Sequence, residues 1–230
     1  GGKERKFMLE RLSILPVISL FWGLCSFYAN AMVEWVYLKA PVSSGPTVVE
    51  YSSFQCSSCY AFSQTLGVDQ EIRRTLPKNE KMETYDVNLF GSLGHEQTWA
   101  WSRAKIKNVK ESVEKAFFTA TMVEKNINTL EDIRRLFMDA TGMSREEYDW
   151  RIKSKAVHGM EAKQESLLRR ENKVAGTFSD YVLGKYHINN RAFGSPTVEA
   201  FNGRYADTIH KLREDNDSVT DFVMGMQVNF

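Results

Sequence analysis

The sequence predicts an α/β fold in which a long helical segment is inserted into a core that forms a β-sheet. Short β-rich segments occur early, at residues 47–51 and 81–89, and late, at 181–188. Between them, residues 95–172 show the apolar periodicity of helices. Strands on both sides of a helical insertion indicate one α/β core that carries a helical subdomain.

The first 31 residues have the three parts of a secretory signal. The basic stretch KERK at 3–6 is followed by a largely apolar run at 12–28 and by the tripeptide Ala29-Asn30-Ala31. A membrane anchor is the alternative, but Pro16, Gly23 and three serines interrupt the apolar run, and small residues stand at its end. We therefore expect cleavage after Ala31 and export of the remaining chain.

Composition excludes several classes of protein. Removal of 31 of the 230 residues leaves 199, the size of one large domain. The whole chain carries a net charge of +1, so no basic excess indicates nucleic-acid binding. No second apolar span indicates a membrane protein. Only Cys56 and Cys59 remain after the leader, fewer cysteines than a disulfide-stapled secreted domain usually contains.

The first half of the chain combines strands with one helix. Residues rich in Val, Thr and Tyr predict the strands, and apolar residues at helical spacing predict the helix. Gly91 and Gly94 then break the pattern. The predicted strands are 34–38, 47–51 and 81–89, and the predicted helix is 59–74.

Several helices are predicted between residues 95 and 172. Thr129 with Asp132, and Ser144 with Glu147, have the spacing of capping boxes, and Gly142 is placed to stop the helix between them. Four apolar residues are expected on one helix face: Val113, Phe117, Ala120 and Val123.

The last part of the chain returns to the core. A hairpin is predicted over 181–188 with its turn at Gly184, and Pro196 is placed to open a helix over 197–214. We expect the tail at 215–230 to be mobile. The predicted organisation is a signal peptide at 1–31, the first core part at 32–94, a helical insertion at 95–173 and the second core part at 174–214.

The pair Cys56-Ser57-Ser58-Cys59 lies where a predicted strand gives way to a helix. At a helix N-terminus, unpaired N–H groups and the helix dipole favour an anion, so we expect Cys56 to be an exposed thiol of low pKa and Cys59 a buried one. A structural disulfide across so short a loop would add little stability. A zinc site needs about four ligands, and the four histidines are scattered, so redox chemistry is favoured over both alternatives.

These residues resemble a known family. The segment EYSSFQCSSCYAF at 50–62 is similar to the active-site segment of DsbA, the bacterial periplasmic dithiol oxidase. The likeness continues through LPKNEKMETYDVNLFG, DIRRLF, EEYD and YADTIHKL, and GKYHINNRAF at 184–193 is most similar to the DsbL and SrgA branch. The resemblance implies a thioredoxin fold with an inserted α-helical subdomain.

The resemblance also implies roles for individual residues. Cys56 would be the nucleophile, Cys59 the resolving thiol, and Glu50 a buried acid that assists proton transfer. Alternatively, Glu50 is a charged residue whose polar interactions are satisfied at the end of a strand. Ser57 and Ser58 depart from the family, which often has histidine or proline between the cysteines. A serine can donate a hydrogen bond to the Cys56 thiolate but brings no charge, which predicts a less oxidising pair.

A second departure lies in the loop that faces the cysteines in the family. Thr177 matches the residue before a cis-proline, but Phe178 stands in the proline position. A cis bond before a non-proline residue costs about 2.5–4 kcal/mol, so we expect a trans bond between Thr177 and Phe178. For the same reason we expect Phe178→Pro to raise exchange activity.

The implied function is that of a soluble, monomeric periplasmic oxidase that donates the Cys56–Cys59 disulfide to exported client proteins. The implied reoxidant is an inner-membrane partner of the DsbB type, and no metal or further cofactor is expected. A reductase or isomerase on the same fold is one alternative. The other is a client-binding, chaperone-like module whose exchange is impaired by Phe178.

Overall fold

The computed structural model describes residues 32–39, 45–87, 91–152, 154–170 and 178–214. The predicted leader, the predicted mobile tail and Thr177 lie outside the described residues. None of the helices in these ranges is both long enough and apolar enough to cross a membrane.

Five strands form one mixed sheet in the order β1-β5-β4-β2-β3. Strand β2 runs parallel to β3 and antiparallel to β4, while the hairpin β4–β5 is followed by β1 at the far edge. All five residues of β2 are buried, as expected of a central strand. The strands are β1 Trp35–Tyr37, β2 Val48–Ser52, β3 Met82–Asp86, β4 Ser179–Val182 and β5 Tyr186–Ile188.

Eight α-helices are described, and most of them lie in the predicted insertion. They are α1 Ser57–Tyr60, α2 Val68–Thr75, α3 Gly91–Lys107, α4 Lys110–Phe118, α5 Leu130–Thr141, α6 Arg145–Ile152, α7 Lys155–Arg170 and α8 Val198–Glu214. Two π-helical segments, Ala61–Leu66 and Thr119–Glu124, continue α1 and α4, and a short 3₁₀ turn spans Asn190–Ala192.

The predicted capping boxes and the predicted glycine stop are confirmed, and each depends on residues close in sequence. Thr129 and Asp132 form both bonds of a capping box, and Gly142 ends α5 at φ 69°. The same reciprocal bonds join Ser144 and Glu147, at 3.0 and 3.1 Å. The hairpin and the last helix also form close to their predicted bounds.

Four details of the sequence-based prediction are wrong. Gly67 adopts φ 70° and divides the predicted helix 59–74. Gly91 and Gly94 lie within α3, which therefore begins before the predicted boundary at residue 95. The hydroxyl of Thr197, not Pro196, caps α8 by accepting from the Ala200 amide at 3.1 Å. The predicted boundary between residues 94 and 95 thus falls inside a helix. The other domain bounds stay a prediction.

The fourth detail concerns the apolar face of α4. Val113, Phe117 and Ala120 are buried as predicted, but Val123 is 58 % exposed. The turn that contains Val123 is π-helical, and its wider turn rotates later residues away from the face that a 3.6-residue period predicts. The prediction for Val123 is therefore wrong.

The core lies on both faces of the sheet and under the helical insertion. Val48 packs with residues of α2 and α8, whereas the next residue, Val49, packs with Tyr51, Tyr85 and Tyr181 on the other face. This alternation follows from the two-residue repeat of a strand.

The outer edge of β3 is occupied by side chains. The Thr84 carbonyl accepts from Trp101 Nε1 at 2.9 Å and from Lys105 Nζ at 2.8 Å. The Asp86 amide donates to Gln164 Oε1 at 2.9 Å. Helices α3 and α7 thus satisfy backbone groups that an edge strand would otherwise present to solvent.

Candidate active site around the cysteine pair

Cys56 occupies the N-cap position of α1, directly after the turn that follows β2. Its backbone is extended, with φ −107° and ψ 119°, so the helix begins at Ser57. The Cys56 Sγ atom accepts a hydrogen bond from the Cys59 amide at 3.3 Å. A sulfur atom at this position meets the unpaired N–H groups of the first turn, which stabilise a thiolate.

Both cysteines are buried, which makes the expectation of an exposed Cys56 wrong. Cys56 is 7 % exposed and Cys59 is 1 % exposed. Both belong to a buried cluster that includes Phe54, Phe118 and Phe178. The pair therefore lies in an aromatic core to which the helical insertion contributes Phe118, and Cys56 is only the less buried of the two cysteines.

The two thiols differ in their electrostatic environment. The pKa of Cys59 is raised well above its usual value, first by its hydrogen bond to Cys56, then by burial and by the negative charge of the Cys56 thiolate. Hydrogen bonds to Ser53 and Ser52 act in the opposite direction without offsetting this rise. In the reduced pair, Cys59 therefore holds its proton.

The two serines between the cysteines have different surroundings. Ser58 Oγ lies 3.4 Å from Cys56 Sγ, close enough for a hydrogen bond. Ser57 is exposed as the first residue of α1. The structure therefore brings Ser58, rather than Ser57, to the sulfur of Cys56.

Phe178 has an unusual backbone conformation beside this pair. Its φ is 65°, in the left-handed region that bulky residues rarely adopt, and its side chain is buried. The Phe178 ring lies 4.0 Å from the Phe62 ring between centroids, and its carbonyl accepts from Asn190 Nδ2 at 3.4 Å.

Proline cannot adopt the backbone angle of Phe178, because its ring fixes φ near −65°. The expectation that Phe178→Pro raises activity is therefore incompatible with the observed conformation. The bond between Thr177 and Phe178 lies outside the described residues.

Glu50 lies on the face of the sheet that α2 and α8 cover. Its neighbours in the register are Asp180 of β4 and Thr84 of β3. Burial raises the pKa of Glu50 well above its usual value, and the nearby carboxylates of Asp69 and Asp180 raise it further. The pKa of Asp69 is raised too, chiefly by burial. Both buried carboxyl groups therefore favour their protonated forms.

Asp86 is a residue near the pair that the sequence reasoning missed. Its carboxylate accepts from the Phe54 amide at 3.3 Å and from the Thr98 hydroxyl at 2.5 Å. This contact ties the turn before Cys56 to the helical insertion. Burial raises the pKa of Asp86 to about 7. The available signal was an acidic residue inside a segment predicted to be a strand.

Gln97 is a second missed residue. Its side-chain carbonyl accepts from Gln55 Nε2 at 2.7 Å, next to Cys56, and its amide donates to Thr121 Oγ1 at 3.2 Å.

In the described part of the chain, no three histidine, cysteine or carboxylate side chains are grouped so that they could hold a metal ion.

Comparisons with known proteins agree with this geometry. No family model matches the chain. The thiol:disulfide interchange protein DsbA of Salmonella typhi is 34 % identical over 179 residues, which cover 78 % of this chain and 86 % of that protein. DsbA of Escherichia coli K12 is 32 % identical over 182 residues, 79 % of this chain and 86 % of that protein.

Solved structures give the same assignment. SrgA of Salmonella enterica serovar Typhimurium is 54 % identical with a TM-score of 0.75, over 78 % of this chain and 99 % of SrgA. A Proteus mirabilis DsbA variant with a non-covalently bound peptide is 30 % identical with a TM-score of 0.74, over 79 % of this chain and 96 % of that one. Reduced DsbL, at 17 % identity and a TM-score of 0.64, shares the fold.

The predicted fold, a thioredoxin fold with a helical insertion, is confirmed by these structures. The curated relatives match 78–79 % of the chain, and their names state the reaction that a strand-to-helix cysteine pair predicts. The chain therefore belongs to the DsbA family of thiol:disulfide interchange proteins and is a thiol:disulfide oxidoreductase.

Proposed function

We propose that the chain is a periplasmic dithiol oxidase, exported by its N-terminal signal, that donates the Cys56–Cys59 disulfide to folding client proteins. The observation that carries this proposal is the asymmetry of the pair. At the start of a helix, the Cys56 sulfur accepts a hydrogen bond from the Cys59 amide, while the raised pKa of Cys59 keeps that thiol protonated. Stabilisation of the reduced form makes a disulfide a stronger oxidant.

In the first step, a client thiolate attacks the Cys56 sulfur, and the bond between Cys56 and Cys59 breaks. Cys59 leaves as a thiolate and takes up a proton, which its raised pKa favours. The product is a mixed disulfide between the client and Cys56. The lower burial of Cys56 favours it as the sulfur under attack.

In the second step, another client thiolate attacks the client sulfur of the mixed disulfide. Cys56 leaves as a thiolate, which the Cys59 amide and the Ser58 hydroxyl are placed to stabilise. The client loses two electrons and two protons. The oxidoreductase gains the two electrons and the proton on Cys59, and the other proton passes to solvent.

Three further features of the proposal rest on the family. The reoxidant would be an inner-membrane protein of the DsbB type. Clients would bind in extended form next to Thr177 and Phe178. The non-covalently bound peptide of the Proteus mirabilis relative supports a peptide as the kind of client. Glu50 would assist proton transfer to Cys59, since burial raises the pKa of its carboxyl and favours the protonated form.

Two measurements test the proposal. The reduction potential of the Cys56–Cys59 couple should lie above about −180 mV, whereas about −270 mV would indicate a reductase. Cys59→Ser should accumulate mixed disulfides with exported proteins, because the resolving thiol is missing. Cys56→Ser is the matched control and should trap none; equal trapping by both variants would contradict the assigned roles.

The burial of Phe178 and the contact of its ring with Phe62 favour a second candidate, a chaperone-like module that binds clients without exchanging disulfides. In that case the protein would suppress aggregation of an unfolded client but fail to catalyse reduction of insulin disulfides. Measurable insulin turnover that disappears in Cys56→Ser excludes this candidate.

A further inference from the structure

A cavity of about 820 Å³ opens beside strand β3, and none of the residues predicted for the redox site lines it. Seven of its lining side chains are lysine or arginine and two are glutamate, an excess of five positive charges. The whole chain has a net charge of only +1, so positive charge is concentrated here. The volume is that of a small-molecule site.

Carboxylates compensate the two lining arginines, because Arg74 pairs with Glu71 at 2.6 Å and Arg73 faces Glu114 and Asp69. The two lining glutamates do not neutralise the lysines. Glu80 accepts from Arg213, which is not part of the lining, at 2.9 Å. Glu83 is shared by Lys105 at 2.7 Å and Lys110 at 4.0 Å. Three further lining lysines have no carboxylate of the described residues within 4.0 Å: Lys78, Lys81 and Lys163.

Lys105 shows the effect of this crowding. Its side chain is only 4 % exposed, and its amine lies 3.9 Å from the centroid of the Tyr85 ring. Burial, and to a smaller extent the charges of Lys110 and Lys163, lower the pKa of Lys105 to about 8 against the opposing effect of Glu83. An anion in the cavity would relieve this repulsion and favour the protonated amine.

The remaining lining defines the chemistry of the occupant. Leu76 and Met160 are half-buried and offer apolar surface for an uncharged part, whereas Tyr85 and Met82 are almost fully buried in the wall. The charged part must face several lysines at once, so a compact group with about two negative charges fits better than a single carboxylate. Lysine binds phosphate as a point charge and needs no fixed planar geometry.

We propose that the cavity surrounded by Lys78, Lys81, Lys105, Lys110 and Lys163 binds a phosphate-bearing ligand. The phosphate group is the shared chemistry of two sources, a free phosphorylated compound and the headgroup of an anionic lipid. This site is separate from the redox pair and does not depend on the proposed oxidase role.

Calorimetric titration with inorganic pyrophosphate at low ionic strength tests the site. Lys81→Glu with Lys163→Glu should weaken binding about tenfold or more, since two favourable ion contacts become repulsive. The matched control is Lys125→Glu with Lys211→Glu, which changes the net charge equally at exposed positions outside the cavity. The control should lose less than about threefold. Absence of binding, or equal weakening by both pairs, would overturn the proposal.

Vesicles distinguish the two sources. A lipid headgroup predicts binding to phosphatidylglycerol vesicles that pyrophosphate displaces and that the Lys81/Lys163 variant loses. A free ligand predicts pyrophosphate binding with no preference for phosphatidylglycerol over phosphatidylcholine. Polyglutamate that binds through these lysines while pyrophosphate does not would assign the cavity to an acidic polypeptide, and the phosphate proposal would then be rejected.

Proton uptake provides an independent readout. Sulfate, a dianion that does not titrate near pH 8, should bind with net uptake of protons at that pH because Lys105 becomes protonated. Titrations in two buffers of different ionisation enthalpy measure this uptake. Sulfate binding without proton uptake would contradict an anion placed beside Lys105.

Discussion

Cys59 and Cys56 differ enough to be distinguished by their reactivity. We expect iodoacetamide to modify Cys56 faster than Cys59 across the range from acidic to neutral pH. Cys59 is 1 % exposed and its pKa is raised, so it presents almost no thiolate. Peptide mapping of the reduced protein after timed alkylation measures both rates. Faster labelling of Cys59 at acidic pH would reverse the assignment of nucleophile and resolving thiol.

Phe178 gives a second prediction at this scale. Phe178→Pro should be less stable than Phe178→Ala by about 1–3 kcal/mol, because both variants lose the ring but only proline excludes the observed φ of 65°. Urea unfolding of the two variants measures the difference. Equal stabilities would show that the loop adopts a negative φ at this residue without cost.

Asp86 predicts a pH dependence of stability. Its pKa is about 7 in the folded protein and about 3.9 in an unfolded chain, so the folded state holds this proton between those values. Stability therefore falls as pH rises from about 4 to about 7, by at most about 4 kcal/mol.

Asp86→Asn keeps an acceptor for the Phe54 amide and remains neutral at every pH. The variant should lose part of the pH dependence and gain stability over the natural protein at pH 8 relative to pH 5. Denaturant unfolding at both values, with one redox state throughout, measures this gain. A variant whose stability changes with pH as steeply as that of the natural protein would contradict the raised pKa.

Residue-scale features differ in how well a sequence can predict them. The position of Cys56 at a helix start was predictable, because a strand-to-helix junction and two cysteines separated by two residues are local patterns. The role of Asp86 was not, since its partners Phe54 and Gln164 lie 32 and 78 positions away. The φ of Phe178 also had no sequence signal, because tertiary packing imposes it.

At the scale of elements, the start of α5 depends on one hydroxyl. Thr129→Ala should lower stability by about 1 kcal/mol, because the Asp132 amide loses its partner at 3.1 Å. Thr65→Ala is the control, an exposed threonine within the π-helical segment that caps no helix. Thermal unfolding of both variants provides the measurement. A Thr129 variant as stable as the control would indicate that the cap contributes nothing.

Elements whose signals are local were predicted well, and the exceptions have a common cause. The capping boxes and the hairpin depend on residues close in sequence. The two π-helical segments continue α1 and α4. A π-helical turn contains more residues than an α-helical turn, so a pattern with a period of 3.6 residues does not predict it. Val123 was misplaced for that reason.

At the scale of the whole molecule, the thermal stability should depend on whether the cysteine pair is reduced or oxidised. We expect the reduced protein to melt at a higher temperature than the oxidised protein near neutral pH. The reduced form gains the hydrogen bond from the Cys59 amide to the Cys56 sulfur, whose stabilising effect is greatest when that sulfur is a thiolate.

This advantage should fade as pH falls and the Cys56 thiolate becomes protonated. Melting curves of both forms at several pH values measure it. A higher melting temperature for the disulfide form at pH 7 would contradict the oxidase proposal and favour a reductase.

The occupied outer edge of β3 has a consequence for the behaviour of the protein in a crowded compartment. With the unfolded clients proposed above, the protein would repeatedly meet extended chains that could extend its sheet. At β3, the bonds from Trp101 and Lys105 to the Thr84 carbonyl remove an acceptor that an incoming strand would need. The bond from Asp86 to Gln164 removes a donor. The sheet therefore cannot grow through these groups into an aggregate with its own substrates.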